Sequence, residues 1–451
     1  MHGTSDMSGS ELFEDLPEMP VPREAVVGAG APRLRQPQRD QIELRICDLD
    51  SLLPAEHPAR VIWAYAERLD LAPLYAVIKA REGVPGYPPI DPRLMLALWL
   101  YATSQGIGSG RVLEKLCESD TAYRWLCGGV SVNYHTLNDF RIAHPVLLDE
   151  LLAANVAALA QAGVIDLDTL AQDGIRVRAA AGAGSYRRRQ TAEAHLQAAR
   201  ALVERLKGER DDDPDASNRR AAAAKARAAH ERERRVADAL EKLAGIEAQR
   251  ARREKTNAKE TAKQGPPRVS TTDPEARVIK MPDGGFRPGY NMQIVSAVER
   301  QIIVAVDVTA AGSDRGLARP MLERVRERLG RLPRDYLADG GFTTAADIEW
   351  AHGTQVALHC PPTKSKHGRD PFAPRPDDGP GVAAWRERMA SDGGKARYKR
   401  RSIHECVNAR LRQWNLRQIT VRGVEKARTV LHWFALANNI LRGHRLAAAA
   451  A

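Results

Sequence analysis

Over the first third of the chain, apolar residues recur every three or four positions, the period of helices packed by one face. His57 to Leu69 carries Val61, Ile62, Ala64, Tyr65 and Leu69 at that spacing. Asp91-Pro92 reads as an N-cap with proline at the first helical position, opening an apolar helix over Arg93 to Ser104. Gly106 and Gly108 break it, and Ser109 starts a helix that runs to Ser119. Shorter helices are predicted around Tyr123 to Leu126 and Thr136 to Arg141, then a longer one from Val146 to Ala162. The pattern predicts an all-helical domain over residues 41–162. Residues 1–40 are rich in Gly, Pro, Ser and Glu without periodicity, and predict a disordered tail.

The period changes after residue 162. Val164 to Leu170 reads as a short strand, Ala171 to Gly174 as a turn, and Ile175 to Ala179 as a strand with one wet face. Asp173 thereby falls at a strand–turn edge. Residues 185–264 return to helix: Ala192 to Arg210, a polar turn over Asp211 to Ser217, and a longer helix from Asn218 to about Lys259. They predict an antiparallel hairpin insertion whose longer arm reaches roughly 60 Å. Strands follow at Gly289 to Ala297 and Gln301 to Val308, at Pro333 to Asp339, and at Gln355 to His359. Ser313-Asp314 reads as the cap of a helix from Arg315 to Leu329, and Thr344 as the cap of another. Residues 361–392 read as a loop. Tyr398 to Arg412 reads as one continuous helix with Ile403, Val407 and Leu411 as its apolar stripe, and Arg428 to Leu441 as a closing helix docked on the core. The expected fold class is α/β. A mixed sheet flanked by helices takes residues 163–184 and 265–445, beside the helical domain and the hairpin.

Charge narrows the partners. The net charge is +11, which suggests nucleic acid or an anionic membrane surface. No run of about 18 apolar residues exists and no signal-like segment opens the chain, so the expectation is DNA and no membrane. Five scattered cysteines with no CxxC pair indicate neither a zinc site nor a disulfide framework, and fit a reducing cytoplasm. In the helical domain, Thr136, Asn138, Asp139 and Arg141 are placed to read groove edges or phosphates if the short helices form a helix-turn-helix. An ordinary bundle is the alternative. The hairpin's charges read as a solvated surface, or as a basic arm along DNA or a partner subunit.

Three carboxylates stand out by position. Asp173 follows a first strand, Asp339 closes a late one, and Glu405 sits on a helix beyond it. Singly, each has a plain structural reading: a turn cap, a helix cap, an ion pair with Arg401 four residues earlier. Together, a sheet of these strands brings them to one end. Carboxylate oxygens suit Mg²⁺ or Mn²⁺, and a pair of ions about 3.5–4 Å apart clamps in-line attack at phosphorus. Glycines beside Asp173 and Asp339 allow close approach. Tyr398, Arg401, Glu405 and Arg412, spaced by 3, 4 and 7, lie along one helical face. Asp307 and Asp314 are rivals near the same sheet end, with Asp314 favoured as a helix cap. Asp166 and Asp168, on the strand before Asp173, are rivals if the register differs.

These stretches resemble the bacterial insertion-sequence transposases of the DDE type, with a ribonuclease-H-like catalytic domain. Tyr87-Pro-Pro-Ile-Asp-Pro-Arg-Leu-Met-Leu96 through His135-Thr-Leu-Asn-Asp-Phe-Arg141 looks like their N-terminal domain. Asp173-Gly174 and Asp339-Gly-Gly-Phe342 look like their first and second acids. Tyr398, Arg401 and Glu405 fit the family's signature of Tyr, two residues, Arg, three residues, Glu, six residues, Lys. Arg412 stands where that signature has Lys, and Ile175 where Thr commonly follows Asp-Gly. The resemblance implies a bacterial, nucleoid-associated cytoplasmic enzyme that works as a homodimer in a synaptic complex. It would bind the terminal inverted repeats of its element, cleave the DNA and join the 3′ ends to target DNA, with Mg²⁺ or Mn²⁺ on Asp173, Asp339 and Glu405. Tyr398, Arg401 and Arg412 would hold the DNA end. Two other readings are a catalytically silent DNA-binding derivative, and a ribonuclease-H-like nuclease without strand transfer.

Overall fold

A computed structural model describes residues 48–81, 83, 88–212, 219–258, 262, 265–362 and 370–449. The tail expected over residues 1–40, Tyr87 of the first motif, and Asp213 to Ser217 of the polar turn lie outside the described residues.

Helix is set early in the chain by capping and by apolar spacing. The N-terminal helices are α1 (Pro58–Glu67), α2 (Ala72–Ala76), α3 (Pro92–Ser104), α4 (Gly110–Ser119), α5 (Thr121–Cys127), α6 (Tyr134–Ala143) and α7 (Pro145–Gln161). Asp91 caps α3 by accepting from Arg93 N, and every residue of α3 except Arg93 is buried. A helix apolar all round belongs at the centre of its bundle. Asn133 caps α6 through Thr136 N.

The chain then forms β1 (Thr169–Arg178), β2 (Tyr186–Arg187), α8 (Arg189–Asp212) and α9 (Arg219–Thr256). Arg189 pairs with Glu247 and Arg200 with Glu233. As one index rises the other falls, so α8 and α9 run antiparallel. The hairpin is pinned at its base where β2 pairs antiparallel with β3 (Val269–Ser270), and Ala239 and Leu243 bury with Val269.

The remaining elements are β4 (Arg277–Lys280), β5 (Phe286–Ala297), β6 (Ile302–Thr309), α10 (Ala318–Leu329), β7 (Asp335–Leu337), α11 (Ala345–Gly353), β8 (Ala357–His359), α12 (Pro380–Ala390), α13 (Asp392–Lys399), α14 (Ser402–Gln413) and α15 (Val424–Ala448). The main sheet is mixed. β5 is antiparallel to β1, and its other edge is shared by β4 and β6. On the far side of β1, β7 and then β8 are parallel. α15 ties the helical bundle to this sheet. It is buried almost throughout from Ala427 to Ile440, and its Asn439 exchanges two hydrogen bonds with Ile303 of β6: Ile303 N donates to Oδ1 (2.8 Å) and Nδ2 donates to Ile303 O (2.7 Å). The buried amide thereby satisfies both backbone groups of Ile303 on the edge strand.

The architecture is α/β, with a mixed sheet and many helices, and four local expectations are corrected. In place of the strand–turn–strand read over Val164 to Ala179 there is one strand, β1, over Thr169–Arg178, and Asp173 lies within it, paired to Ile294. Gly174 is paired with Gln293 in the ladder, and only glycine fits there because a Cβ would meet Asn291 Oδ1 at 2.7 Å, Gln293 Nε2 at 2.8 Å and Asp314 Oδ1 at 2.9 Å. Asp314 does not cap a helix. α10 starts at Ala318 with no side-chain cap, and Asp314 accepts from Asn291 Nδ2 (2.6 Å) and Gln293 Nε2 (3.1 Å) of β5. The helix expected over Tyr398 to Arg412 is two, α13 and α14. At the junction the backbone takes i→i−3 bonds, Arg401 N to Tyr398 O (2.9 Å) and His404 N to Arg401 O (2.8 Å). Last, the loop expected over residues 361–392 contains α12, whose N-terminal Gly381 and Val382 N–H groups are received by Glu349 of α11.

Candidate active site

Register and parity assemble the site. β1 pairs with β7 through Ala171 and Leu337. Asp173 lies two residues further along β1 and Asp339 two residues beyond Leu337, just past the end of β7, and extending the register brings them to one level and face; the charge of Asp339 acts on Asp173 accordingly. Ala171 and Leu337 on that face are buried with Val298, and Ile403 of α14 packs against them. Val407 and Leu411 are fully buried. The apolar stripe thereby lays α14 across the face that carries both aspartates.

Asp173 is held from several sides. Its Oδ1 accepts from Gly174 N (2.8 Å) and its Oδ2 from Asn408 Nδ2 of α14 (2.9 Å). Arg401 Nη1 stands 3.5 Å from Oδ2. Burial raises the Asp173 pKa above its ordinary value, against the Gly174 N–H and the Arg401 charge, and the negative charges of Asp314 and Asp339 add to the rise. Arg401 also reaches Glu405 Oε1 at 3.7 Å, and its guanidinium lies 5.9 Å from the Tyr398 ring centre. Tyr398 donates to Asp339 Oδ1 at the long distance of 3.5 Å. Burial raises the Tyr398 hydroxyl pKa. Asp339 is exposed at the end of its strand, with its Oδ1 also accepting from Gly340 N (2.8 Å). Glu405 is 65% exposed and Arg412 is exposed on the same helix. The residue before Glu405, His404, is wholly buried beside Ser296 Oγ (2.6 Å), and burial holds its pKa down to about 3.

The rival acids are separated by the same parity. Asp307 pairs in register with Gln293, and Gln293 with Gly174, on the face opposite Asp173. There Asp307 takes Arg428 Nε at 2.6 Å. Asp314 serves that opposite face through Asn291, Gln293 and Arg176. Asp166 and Asp168 precede β1 at its other end, where Asp168 pairs with Arg331.

In the helical domain, Thr136, Asn138 and Asp139 are exposed on α6, with Thr136 Oγ1 donating to Asn133 Oδ1 (3.1 Å). Arg141 is elsewhere than a surface. It is 6% exposed, its guanidinium lies 4.7 Å from the Trp99 ring centre, and Nη1 donates to Gly108 O (2.5 Å) and Thr420 Oγ1 (3.3 Å). The expectation that Arg141 meets DNA is therefore revised: it joins the bundle to the segment before α15. A groove of about 930 Å³ opens nearby, lined by Arg111 and Asn138 on one wall and Arg234, Asp238 and Lys242 of α9 on another. None of Asp173, Asp339 and Glu405 lines it.

Two family models match parts of the chain. Residues 47–143 match the family described as "Transposase domain (DUF772)", and residues 246–440 match the "Transposase DDE domain". The chain belongs to the DDE-type insertion-sequence transposases. No curated protein and no solved structure matches it. In this transposase Asp339, Tyr398, Arg401, Glu405 and Arg412 lie inside the second matched range, whereas Asp173 falls between the two ranges.

Among the described residues no three His, Cys, Asp or Glu side chains form a group that could hold a metal ion. The donor chemistry nevertheless suits a hard cation: two carboxylates share a level and a face, and Asn408 Oδ1 beside them is buried with no hydrogen-bond donor. Sequence reasoning missed Asn408. Its one signal is its place three residues after Glu405, on the same side of the helix.

Proposed function

We propose that this transposase binds the terminal inverted repeats of its element, cleaves the DNA and joins the 3′ ends to target DNA by in-line phosphoryl transfer in a ribonuclease-H-like domain. The order of the main sheet, parallel on one side of β1 and antiparallel on the other, supports the fold reading. The observation that carries the chemistry is the placement of Asp173 and Asp339 at one level and face of adjacent parallel strands, under the helix that bears Glu405.

Asp173, Asp339 and Glu405 would hold Mg²⁺ or Mn²⁺, as a pair of ions, and the metal would supply activation of the attacking water or hydroxyl and charge stabilisation at the leaving 3′-oxygen. The protein's own groups do the rest. Gly174 N–H, Asn408 and Arg401 fix the Asp173 carboxylate, so it meets the reaction already oriented. Exposed Arg412 and the partly exposed Tyr398 present a cation and a hydroxyl for phosphate oxygens. Arg401 is shared between the acids and the same face. Thr136 on α6 is the candidate contact of the helical domain. We take the working assembly to be a homodimer that brings two DNA ends together, in the bacterial cytoplasm at the nucleoid. The described residues include no single helix long and apolar enough to cross a membrane.

The reading is tested by cleavage and strand transfer on DNA that carries the element's ends, with Mg²⁺, for the wild type and for Asp173→Ala, Asp339→Ala and Glu405→Ala. Each substitution is expected to abolish both reactions while DNA binding persists. Undiminished activity in any one removes that residue from the site. Cleavage without joining would favour a nuclease.

A further inference from the structure

We propose that Asn408 is a positioning residue for Asp173 that also turns its side-chain oxygen to the divalent cation's coordination shell. The inference rests on the metal-dependent reading above and extends it to a residue outside the three acids. Asn408 is 6% exposed in the middle of α14, where asparagine is a poor helix former and a tertiary reason for it is expected. Its orientation is set by chemistry. The Asp173 carboxylate is an acceptor, so the Asn408 amide must present Nδ2 to it, as it does at 2.9 Å. Turning the amide over would set two oxygens against each other.

That choice leaves Oδ1, the other end of the same amide, beside the Asp173 carboxylate with no donor of its own. Oδ1 is buried and accepts from no group among the described residues. A residue needed only to hold Asp173 has no use for a buried, unpaired carbonyl oxygen, which is costly. An amide oxygen is, however, an ordinary ligand of hard divalent cations and an acceptor for the waters they carry. The same carboxylate oxygen of Asp173 also faces Arg401 at 3.5 Å, and the other is taken by Gly174 N at 2.8 Å. Asn408 thus closes the third side of Asp173. It stands three residues beyond Glu405, so one face of α14 supplies both groups.

The test uses the full chain and Mn²⁺, counted by the electron paramagnetic resonance of free ion, with melting followed with and without Mn²⁺. Asn408→Leu keeps the volume and removes both polar atoms. It is expected to weaken Mn²⁺ binding by about tenfold or more, the usual effect of losing a group that supports a metal ligand. Asn408→Asp keeps an oxygen and loses the amide donor. It is expected to melt lower without Mn²⁺, to bind Mn²⁺ within about threefold of wild type, and to be stabilised by Mn²⁺ more than wild type is. Asn408→Leu binding within about twofold of wild type overturns the proposal. If that variant does not fold, Asn408→Asp decides: tenfold weaker binding, or no extra stabilisation by Mn²⁺, overturns it. A wild-type chain that binds no Mn²⁺ overturns the metal-dependent reading itself, and this inference falls with it.

Discussion

Arg401 Nη1 lies 3.5 Å from Asp173 Oδ2, and Nη2 of the same guanidinium lies 3.7 Å from Glu405 Oε1. One arginine therefore spans two of the three acids, from a position only 15% exposed. Without it, Asp173 keeps its burial and loses its nearest cation. Arg401→Ala is expected to destabilise the protein by about 1–3 kcal/mol, the penalty for a buried charged group that loses a partner. Arg401→Lys keeps the charge but not the fork, and is expected to recover part of the stability and little of the cleavage. Denaturant melts and DNA cleavage, measured on both variants, check this. Equal stability of Arg401→Ala and wild type would show that the ion pairs contribute nothing.

Gly174 is constrained from the face opposite the aspartates. A Cβ there would come within 3 Å of three polar atoms, on Asn291, Gln293 and Asp314. Those side chains are already joined to one another and to Gln172, so none yields alone. Gly174→Ala is expected to cost about 1–3 kcal/mol by overpacking and to shift Asp173, its neighbour. The check is a melt together with a cleavage assay, and the expected outcome is loss in both. Unchanged cleavage would show that the network is free to move.

How much of this was legible in the sequence depends on where each partner lies. α3 and the α14 stripe were readable because capping and apolar period are local: Asp91 caps its own helix, and Ile403, Val407 and Leu411 are one turn apart. Asp-Gly is a local turn signal, so the sequence points Asp173 to a turn, whereas the partner that keeps this stretch in a strand is β5, more than a hundred residues on. Ser-Asp before a helix is a local cap signal, so the sequence points Asp314 to a cap. Its actual partners, Asn291 and Gln293, are brought by the sheet. Gly379 and Pro380 hide α12 in the sequence, and two of its N-terminal N–H groups are satisfied by Glu349, more than thirty residues upstream. Arg141 looked like a surface cation because nothing nearby in sequence reveals Trp99 and Thr420 around it.

His404 gives the molecule a weakness in acid. Its folded-state pKa is lowered from 6.5 to about 3, chiefly by burial. Between those values the unfolded chain binds the proton and the folded chain does not. Stability therefore rises with pH across that window, and falls as the pH drops from about 6.5 toward 3. The loss is expected to amount to a few kcal/mol. His404→Gln retains a polar contact for Ser296 without titrating there, so its stability is expected to vary less with pH than that of wild type. Melts from pH 7 to pH 4 on both proteins measure the difference. Parallel curves would assign the acid sensitivity to other groups.

Arg412 and Arg141 separate a surface cation from a buried one. Arg412 is exposed on the helix that carries Glu405, whereas Arg141 is 6% exposed over Trp99. A cation that neutralises one phosphate releases its counterions, so its loss lowers the slope of log affinity against log salt by about one. Arg412→Ala is expected to do this, with weaker binding to specific and random DNA alike and little change in melting. Arg141→Ala is expected to leave the slope unchanged for the protein that remains folded. It should cost about 2–4 kcal/mol of stability, from its bonds to Gly108 and Thr420 and its stacking on Trp99. Titrations at several salt concentrations, beside melts, decide both. A lowered slope for Arg141→Ala would mean that this buried guanidinium reaches DNA after a rearrangement, and an unchanged slope for Arg412→Ala would take Arg412 off the DNA-binding face.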